Sequence, residues 1–240
     1  MSVIRTARER ARGEVTAAIK EEARRQLADE GAARLSLRSV ARELGMVSSA
    51  LYRYFPNRDE LLTALIVDAY DAVGAAAETA FEGVGDADPV TSWIVVSRAV
   101  RGWALEHPHE YALIYGSPVP GYSAPLDTIG PASRVALVLL TVAERAHADG
   151  RLALPAPDAP LSAGVHADAW RLVKDLDQDL PPQALPTLIA AWAQLFGLIG
   201  FELFGQFNNV VEARDEFFDH AMASLAHQAG LRRDPVLPEE

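Results

Sequence analysis

The sequence of 240 residues contains no cysteine. The chain therefore has no disulfide framework, no thiolate metal site and no cysteine nucleophile, which is consistent with a cytoplasmic protein. The N-terminus has no apolar segment followed by a small-residue cleavage site, so we expect no secretory signal and a cytoplasmic protein. β-Branched runs are short and no alternating strand pattern persists. These absences, in a chain rich in alanine and leucine, predict an all-α protein.

Long hydrophobic runs are almost absent as well. The exception, residues 185–204, could be mistaken for a membrane span, but it contains Pro186, Gln194 and Glu202 and follows two prolines. We interpret this stretch as a buried helix and expect no membrane association. With 50% hydrophobic residues, the chain can build a substantial core.

Lysine and arginine are outnumbered by aspartate and glutamate, 22 against 33, so the formal net charge is -11. Its distribution is uneven: residues 1–60 hold twelve Arg and Lys against nine Asp and Glu, whereas residues 61–240 hold ten against twenty-four. Phosphate recognition depends on local basic charge rather than on the total. The sequence therefore combines a weakly basic N-terminal head with an acidic body.

Residues 36–55 have the pattern of a helix-turn-helix. Four apolar side chains recur at the spacing of one helical face, namely Leu37, Val40, Ala41 and Leu44. Ser36 is placed as the N-cap of this helix, and Gly45 suits the sharp turn that follows, because glycine adopts left-handed backbone readily. Ser48 is placed to cap a second helix, which Pro56 ends.

The second helix of the motif presents small and polar groups outward. Leu51 and Phe55 face inward, and Tyr54 lies at the margin. The outward side chains are Ser49, Ala50, Tyr52 and Arg53. Such a helix suits a DNA major groove, since it permits close approach and carries donors for base edges and phosphates.

Helical patterns continue on both sides of the motif. An amphipathic helix precedes it and ends near Gly31, and Asn57 with Glu60 resembles a capping box that opens a long fourth helix. Further helices are expected over residues 89–106, over a short segment that ends at Tyr115, and over residues 132–148, 166–176, 183–204 and 212–229. Loops are expected at residues 116–125 and 154–160.

The head resembles the TetR family of bacterial transcriptional regulators. The matching words are LSLRSVARELG and ALYRYFPNR, both within residues 35–58, and the match covers roughly residues 14–66. A weaker resemblance, to the C-terminal domain called WHG in this family, lies in residues 103–115, although Gly102 here precedes the tryptophan. The resemblance implies a homodimer, a ligand cavity in each body, and DNA that is released when ligand binds.

By this resemblance, the family's DNA contacts fall on nine residues: Ser36, Arg38, Ser48, Ser49, Ala50, Tyr52, Arg53, Tyr54 and Arg58. The two tyrosine hydroxyls suit phosphate oxygens, and Arg38 or Arg53 suits a guanine edge. Ala50 suits a thymine methyl. Tyr54 could instead pack beneath the motif.

A group of arginines at the N-terminus allows two interpretations. Its members are Arg5, Arg8, Arg10 and Arg12. They could form an arm near the minor groove, as in other DNA-binding domains, or a disordered tail that only adds solubility.

The body carries large aromatic side chains, several with polar tips. With the resemblance, they indicate a pocket for a small apolar or aromatic effector, lined by Trp93, Trp103, Tyr111, Tyr115, Tyr122 and Trp170. Each ring taken alone is better explained as core.

Neither a metal site nor a catalytic site is indicated. His107, His109 and Glu110 have no further partner at metal-ligand spacing, and we interpret them as a helix-end or solvent-facing cluster. No nucleophile elbow or other catalytic signature occurs. We therefore expect no cofactor and no enzymatic activity.

The helix expected over residues 183–204 is apolar nearly all round, so it must be buried on more than one face. With the last helix it would form a four-helix interface across a two-fold axis, built from Trp192, Phe196, Gly197, Gly200, Leu203, Phe218 and Met222. The alternative is that these residues form an intrachain core.

These features predict a helix-turn-helix DNA-binding domain in residues 1–60, a helical ligand-binding and dimerisation domain in residues 61–230 and a mobile tail in residues 231–240. The boundary between the two domains is expected within helix four, at about 58–80. We expect a dimeric repressor that binds a palindromic operator and is released by a small effector. The alternatives are a small-molecule-binding or enzymatic helical protein with a vestigial helix-turn-helix, and a DNA-binding regulator without ligand control.

Overall fold

The computed structural model describes residues 7–154 and 160–233. These ranges contain ten α-helices: α1 (Ala7–Glu30), α2 (Leu37–Glu43), α3 (Ser48–Leu51), α4 (Arg58–Gly83), α5 (Pro89–Glu106), α6 (Pro108–Tyr115), α7 (Ile129–Ala148), α8 (Ala163–Asp175), α9 (Leu185–Leu203) and α10 (Arg214–Gln228). Short 3-10 turns precede α2, α7 and α9. The all-α prediction is confirmed, because the only β pairing in the described ranges is an isolated antiparallel bridge between Leu152 and Leu231.

The chain divides into two compact units, which we call the head unit and the body unit. The head unit comprises Met1–Ala72 and His107–Ala132, and the body unit comprises Val73–Glu106 and Ser133–Glu240. Both α4 and α7 run from one unit into the other. The head unit thus includes α6, which the sequence pattern alone assigns to the body.

The head unit is organised around the apolar faces of α1 and α2. Ile19 and Leu27 of α1 are buried in the same cluster as Leu37 and Val40 of α2. Each buried aliphatic side chain of this size contributes roughly 1.5–3 kcal/mol, so the cluster holds the helix-turn-helix against α1. As predicted, α1 ends just before Gly31, whose φ is 78°.

The body unit packs α5 against α9 and α10. Apolar contacts dominate, and they include one nearly buried charged group. The guanidinium of Arg101 donates to Glu202 of α9 at 2.7 Å and pairs with Asp215 of α10 at 2.8 Å. Since an unpaired buried charge costs several kcal/mol, the three residues fix how these helices pack together.

The C-terminal segment corrects one predicted boundary. Leu231 is buried and forms the bridge with Leu152, so it is not part of a mobile tail. The pairing explains this, because the amide of Ala153 also donates to the carbonyl of Gly230 at 2.8 Å. Residues 234–240 of the predicted tail and residues 155–159 of the predicted loop lie outside the described residues.

Two helical stretches are long and apolar enough to cross a membrane by length and composition alone. They are Leu126–Ala148 and Pro182–Leu203, and in each 39% of the most apolar window is buried. Core helices of soluble proteins meet the same two criteria, so this finding is weak evidence for a span.

Candidate nucleic-acid interface

The helix-turn-helix is formed by α2 and α3 with a tight turn between them. Gly45 has a φ of 64°, and the amide of Met46 donates to the carbonyl of Ala41 at 2.8 Å. Left-handed backbone is easily adopted only by glycine, so the predicted role of Gly45 is confirmed.

α3 is shorter than the sequence pattern predicts. It ends at Leu51, and the amide of Tyr54 closes a tight turn by donating to the Leu51 carbonyl at 2.8 Å. Pro56 disfavours helical geometry at Phe55, which is buried in the head core. The prediction of a helix reaching Phe55 is therefore wrong, and Arg53 lies in the turn after α3.

The capping residues differ in part from prediction. Ser36 occupies the N-cap of α2, but its side chain makes no capping hydrogen bond. Ser48 is the first residue of α3 rather than its cap, and the N-cap is Val47. The role of Asn57 is confirmed, because its Oδ1 accepts a hydrogen bond from the amide of Glu60 at 2.9 Å.

Most of the predicted DNA contacts are accessible in the head unit. The exposed members are Arg38, Ser48, Ser49, Tyr52 and Arg53. The half-buried members are Ser36, Ala50, Tyr54 and Arg58. Among the residues that the structure describes, neither Arg38 nor Arg53 has an acidic side chain paired with its guanidinium. Both cations are therefore available to an external phosphate or base.

The N-terminal turns of α1 reach the segment after α3. The Arg12 guanidinium lies 5.2 Å from the centroid of the Tyr54 ring, and its Nη2 donates to the carbonyl of Arg53 at 3.3 Å. Arg8, Arg10 and Arg12 lie within α1, so the prediction of a disordered tail is wrong for them, and Arg5 lies outside the described residues. Tyr54 also packs on the head core, which favours its supporting role.

Arg58 is bound to the backbone of its own chain. Its guanidinium donates to the carbonyls of Ala32 at 2.8 Å, Leu35 at 3.1 Å and Ala33 at 3.3 Å. These carbonyls lie in the connection between α1 and α2. No local sequence signal reveals these bonds, since they join residues 23 to 26 positions apart.

Three of the six predicted pocket residues lie in the head unit. The rings of Tyr111 and Tyr115 are 5.2 Å apart, and Tyr70, which the sequence pattern did not single out, meets Tyr115 edge-on at 5.9 Å. Burial raises the pKa of these three phenols, so they remain neutral at physiological pH. The hydroxyl of Tyr122 is hydrogen-bonded to that of Thr63 at 2.9 Å.

The other three predicted pocket residues lie in the body unit. Trp93 is fully buried, Trp103 is nearly so, and Trp170 is 55% exposed on α8. The buried Nε1 of Trp93 and Oγ of Ser97, one helical turn apart on α5, have no hydrogen-bond partner among the described residues. Ser97 was not predicted, because an isolated serine in an apolar helix gives no distinctive signal.

Glu110, near the start of α6, belongs to an ion-pair network in the head unit. His107 Nδ1 lies 3.3 Å from Glu110, which also pairs with Arg24 at 3.3 Å. Arg24 and Lys20 both pair with Asp68, at 2.8 and 2.7 Å. Within the described residues, no three metal-ligating side chains gather into a site.

The residues predicted for a dimer interface divide by burial. Those buried within the body unit are Phe196, Gly200, Phe218 and Met222. Those that stay at least partly accessible are Trp192, Gly197 and Leu203. The intrachain packing of α9 and α10 covers the first group, which corrects their assignment to a partner-facing surface. The exposed side of α9 instead carries Ile189, Ala193, Gly197 and Phe201, at intervals of four residues.

Family models match both parts of the chain. The model for "Bacterial regulatory proteins, tetR family" matches residues 19–65, and the model for "Tetracyclin repressor-like, C-terminal domain" matches residues 93–225. The second match alone covers more than half of the chain.

Individual proteins show the same relationship. The HTH-type transcriptional regulator Rv1816 of Mycobacterium tuberculosis is 42% identical over 202 residues, which are 82% of this chain and 84% of that protein. The crystal structure of the regulatory protein SCO4313 is similar, with a TM-score of 0.75 and 34% identity over 92% of this chain and 100% of that one.

A more distant structure shares the fold. RolR, crystallised in complex with resorcinol, has a TM-score of 0.51 and 17% identity over 95% of this chain and 99% of that chain. The helix-turn-helix, the all-α fold and the family matches agree, and this chain belongs to the TetR family of bacterial transcriptional regulators.

Proposed function

We propose that the protein is a dimeric, ligand-responsive repressor that acts in the cytoplasm and carries out no enzymatic reaction. The observation that carries this proposal is the exposed surface of α2, α3 and the following turn. There Arg38 and Arg53, both without acidic partners in the described structure, lie among small and hydroxyl-bearing side chains. This combination suits phosphate and base-edge contacts in a major groove.

Two such heads would bind successive major grooves of a near-palindromic operator. Their spacing would be one helical turn, roughly 34 Å. Arg38 and Arg53 would contact phosphates or guanine edges, and the Tyr52 hydroxyl would contact a phosphate. Ser36, Ser48, Ser49 and Ala50 would permit close approach. Tyr54 and Arg58 would then act mainly by holding the surface in position.

The dimer would form through the exposed side of α9. Ile189, Ala193, Gly197 and Phe201 make an apolar stripe, and the small residues within it allow close approach of a second helix. Phe201 is 54% exposed, which is an unfavourable position for an aromatic side chain in a single chain. Trp192 and Leu203 would lie at the margin of the same surface.

The effector would be a small, mostly apolar or aromatic molecule that carries a polar group. Trp93 Nε1 and Ser97 Oγ are buried and lack protein partners among the described residues, so they suit hydrogen bonds to such a group. RolR was crystallised with resorcinol, a small phenolic compound, and this supports the same chemical class. Binding would lower DNA affinity by favouring a body conformation in which the heads no longer match the operator.

The test is selection of fragments of the source genome by the purified protein, followed by titration of an enriched duplex. We expect saturable binding of one dimer per duplex and a panel compound that both raises the thermal midpoint and releases the DNA. If DNA is bound but no compound acts, a regulator without ligand control is the better account. If no duplex is enriched, the proposal is wrong and the vestigial alternative gains support.

A further inference from the structure

Val47 is an apolar side chain at the edge of α3, on the surface proposed to read DNA. It is 70% exposed, and the next two residues, Ser48 and Ser49, are exposed as well. Single apolar side chains are common on protein surfaces, so exposure alone needs no explanation. The position of this valine at the start of α3 does require an explanation.

Valine is a poor residue for this position in the folded chain. Val47 is the residue that precedes the first turn of α3, and no side chain caps the helix there. Serine, threonine, asparagine or aspartate would supply an oxygen to the unpaired amides of that turn, whereas valine cannot. Ser48 lies one residue too far along the chain to act as the N-cap of α3. Folding alone would therefore favour a polar residue here, both for the cap and for solvation.

We propose that Val47 is a specificity-determining residue whose side chain contacts the C5-methyl group of a thymine in the operator. This inference rests on the proposed DNA-binding function. The thymine methyl is the apolar group that base pairs present in the major groove, and apolar side chains recognise it. The contact would remove methyl groups of both valine and thymine from water. Valine would therefore favour DNA binding, although in the free protein it neither caps α3 nor is well solvated.

The experiment uses a duplex that the wild-type protein enriches from a random DNA library. Each thymine of the bound site is replaced in turn by deoxyuridine, which keeps the base pair and removes only the methyl group. For the wild-type protein, we expect one position in each half-site to weaken binding about fourfold, the effect of one methyl-sized group. In V47S, the same replacement has no effect.

Two further variants make the result specific. V47A removes the two γ-methyl groups without adding a hydroxyl, and it should reduce the deoxyuridine effect below that of the wild-type protein, because its single methyl group reaches less far. V210S makes the same chemical change at Val210, which is 72% exposed in the body unit, and it should retain the fourfold effect. V47S should also raise the thermal midpoint by about 2 °C, because serine caps α3, and this shows that the variant is folded.

Several outcomes would overturn the inference. An equal deoxyuridine effect in the wild-type protein and in both Val47 variants assigns the methyl contact to another residue. No effect at any thymine in the wild-type protein, or enrichment of a site without thymine, excludes the contact while DNA binding stands. If the wild-type protein enriches no duplex, the proposed function fails and the role of Val47 fails with it.

Discussion

The guanidinium of Arg58, in the first turn of α4, donates to the carbonyl of Leu35, the second residue before α2, at 3.1 Å. The same side chain also donates to the carbonyls of Ala32 and Ala33. A planar guanidinium can bind several carbonyls at once, because its donors point in different fixed directions. Arg58 therefore ties the start of α4 to the connection that leads into the helix-turn-helix.

This geometry predicts that lysine cannot replace Arg58. We expect R58K to lower the free energy of unfolding by about 1–2 kcal/mol and to weaken operator binding, although the positive charge is kept. If Arg58 instead contacts a phosphate, R58K should bind nearly as well as the wild-type protein. R58Q should then reduce the slope of log K against log salt by about 1.8, because each dimer loses two phosphate contacts. Denaturant unfolding and binding titrations at four salt concentrations distinguish the two.

The turn between α2 and α3 predicts opposite effects for two glycine substitutions. Gly45 has a φ of 64° and open space at its Cβ position, so G45A suffers backbone strain and no clash, and we expect a loss of about 1 kcal/mol. Gly13 lies within α1, also with open space, and G13A should instead gain about 0.5–1 kcal/mol. Urea unfolding measures both. A stabilising G45A would contradict the assigned turn geometry.

The ion pair of Arg101 and Glu202 is nearly buried, and the pair of Arg98 and Asp219 is more exposed. R101M leaves the Glu202 carboxylate buried without its main cation, so we expect a loss of about 3–5 kcal/mol. R98M removes a charge from the same helix and should cost less than about 1 kcal/mol. Equal losses of the free energy of unfolding, measured in urea, would show that burial does not determine how much each ion pair stabilises the protein.

The N-terminus of α5 predicts an acid-dependent contribution from Asp88. Its carboxylate accepts hydrogen bonds from the amides of Val90 and Thr91, at 3.0 and 3.1 Å, and from the Thr91 hydroxyl at 2.6 Å. Burial alone would raise the pKa of Asp88, but these hydrogen bonds outweigh it and lower the pKa.

Because the pKa of Asp88 is lower in the folded state, its stabilisation is present above the unfolded value of about 3.9 and is lost as the pH falls through the folded value. D88A should cost about 1 kcal/mol at pH 7, and the difference from the wild-type protein should shrink below about pH 4. D88N keeps a capping oxygen and should cost less at pH 7. A D88A deficit that is constant between pH 7 and pH 3 would exclude this account.

The exposed stripe of α9 predicts a variant that separates folding from dimerisation. A Cβ added at Gly197 meets nothing within 4 Å in the single chain, so G197R should fold normally and obstruct a second copy. Sedimentation equilibrium should give twice the chain mass for the wild-type protein and the chain mass for G197R. G13R, at another exposed helical glycine, should remain dimeric. A dimeric G197R would place the interface elsewhere.

Local patterns predicted much of the head. The apolar spacing of Leu37, Val40 and Ala41 located α2, and Gly31 and Gly45 marked the turns that the structure shows. These features depend on residues close in sequence, where helix periodicity and backbone preference act directly. Ser48 rather than Val47 was predicted as the N-cap of α3, because serine is a common capping residue. Local composition does not tell which of two adjacent residues precedes the first turn of a four-residue helix.

Tertiary pairings could not be predicted in the same way. Arg58 suits a phosphate as well as a carbonyl, and only the folded chain brings it to residues 32–35. Phe218 and Met222 have the apolar character of an interface or of a core, and the packing of α10 within its own chain decides between them. Amphipathic patterns show that a face is buried, but not which surface covers it.

The most direct test of the central claim compares operator binding by R53A and R171A. Arg53 is exposed beside α3, and Arg171 is 70% exposed on α8, so each substitution removes one accessible arginine. In equilibrium titrations of an enriched duplex, we expect R53A to weaken binding at least about tenfold, because each head of the dimer loses a base or phosphate contact. R171A should bind as the wild-type protein does. Equal affinities for the wild-type protein and R53A would contradict the account.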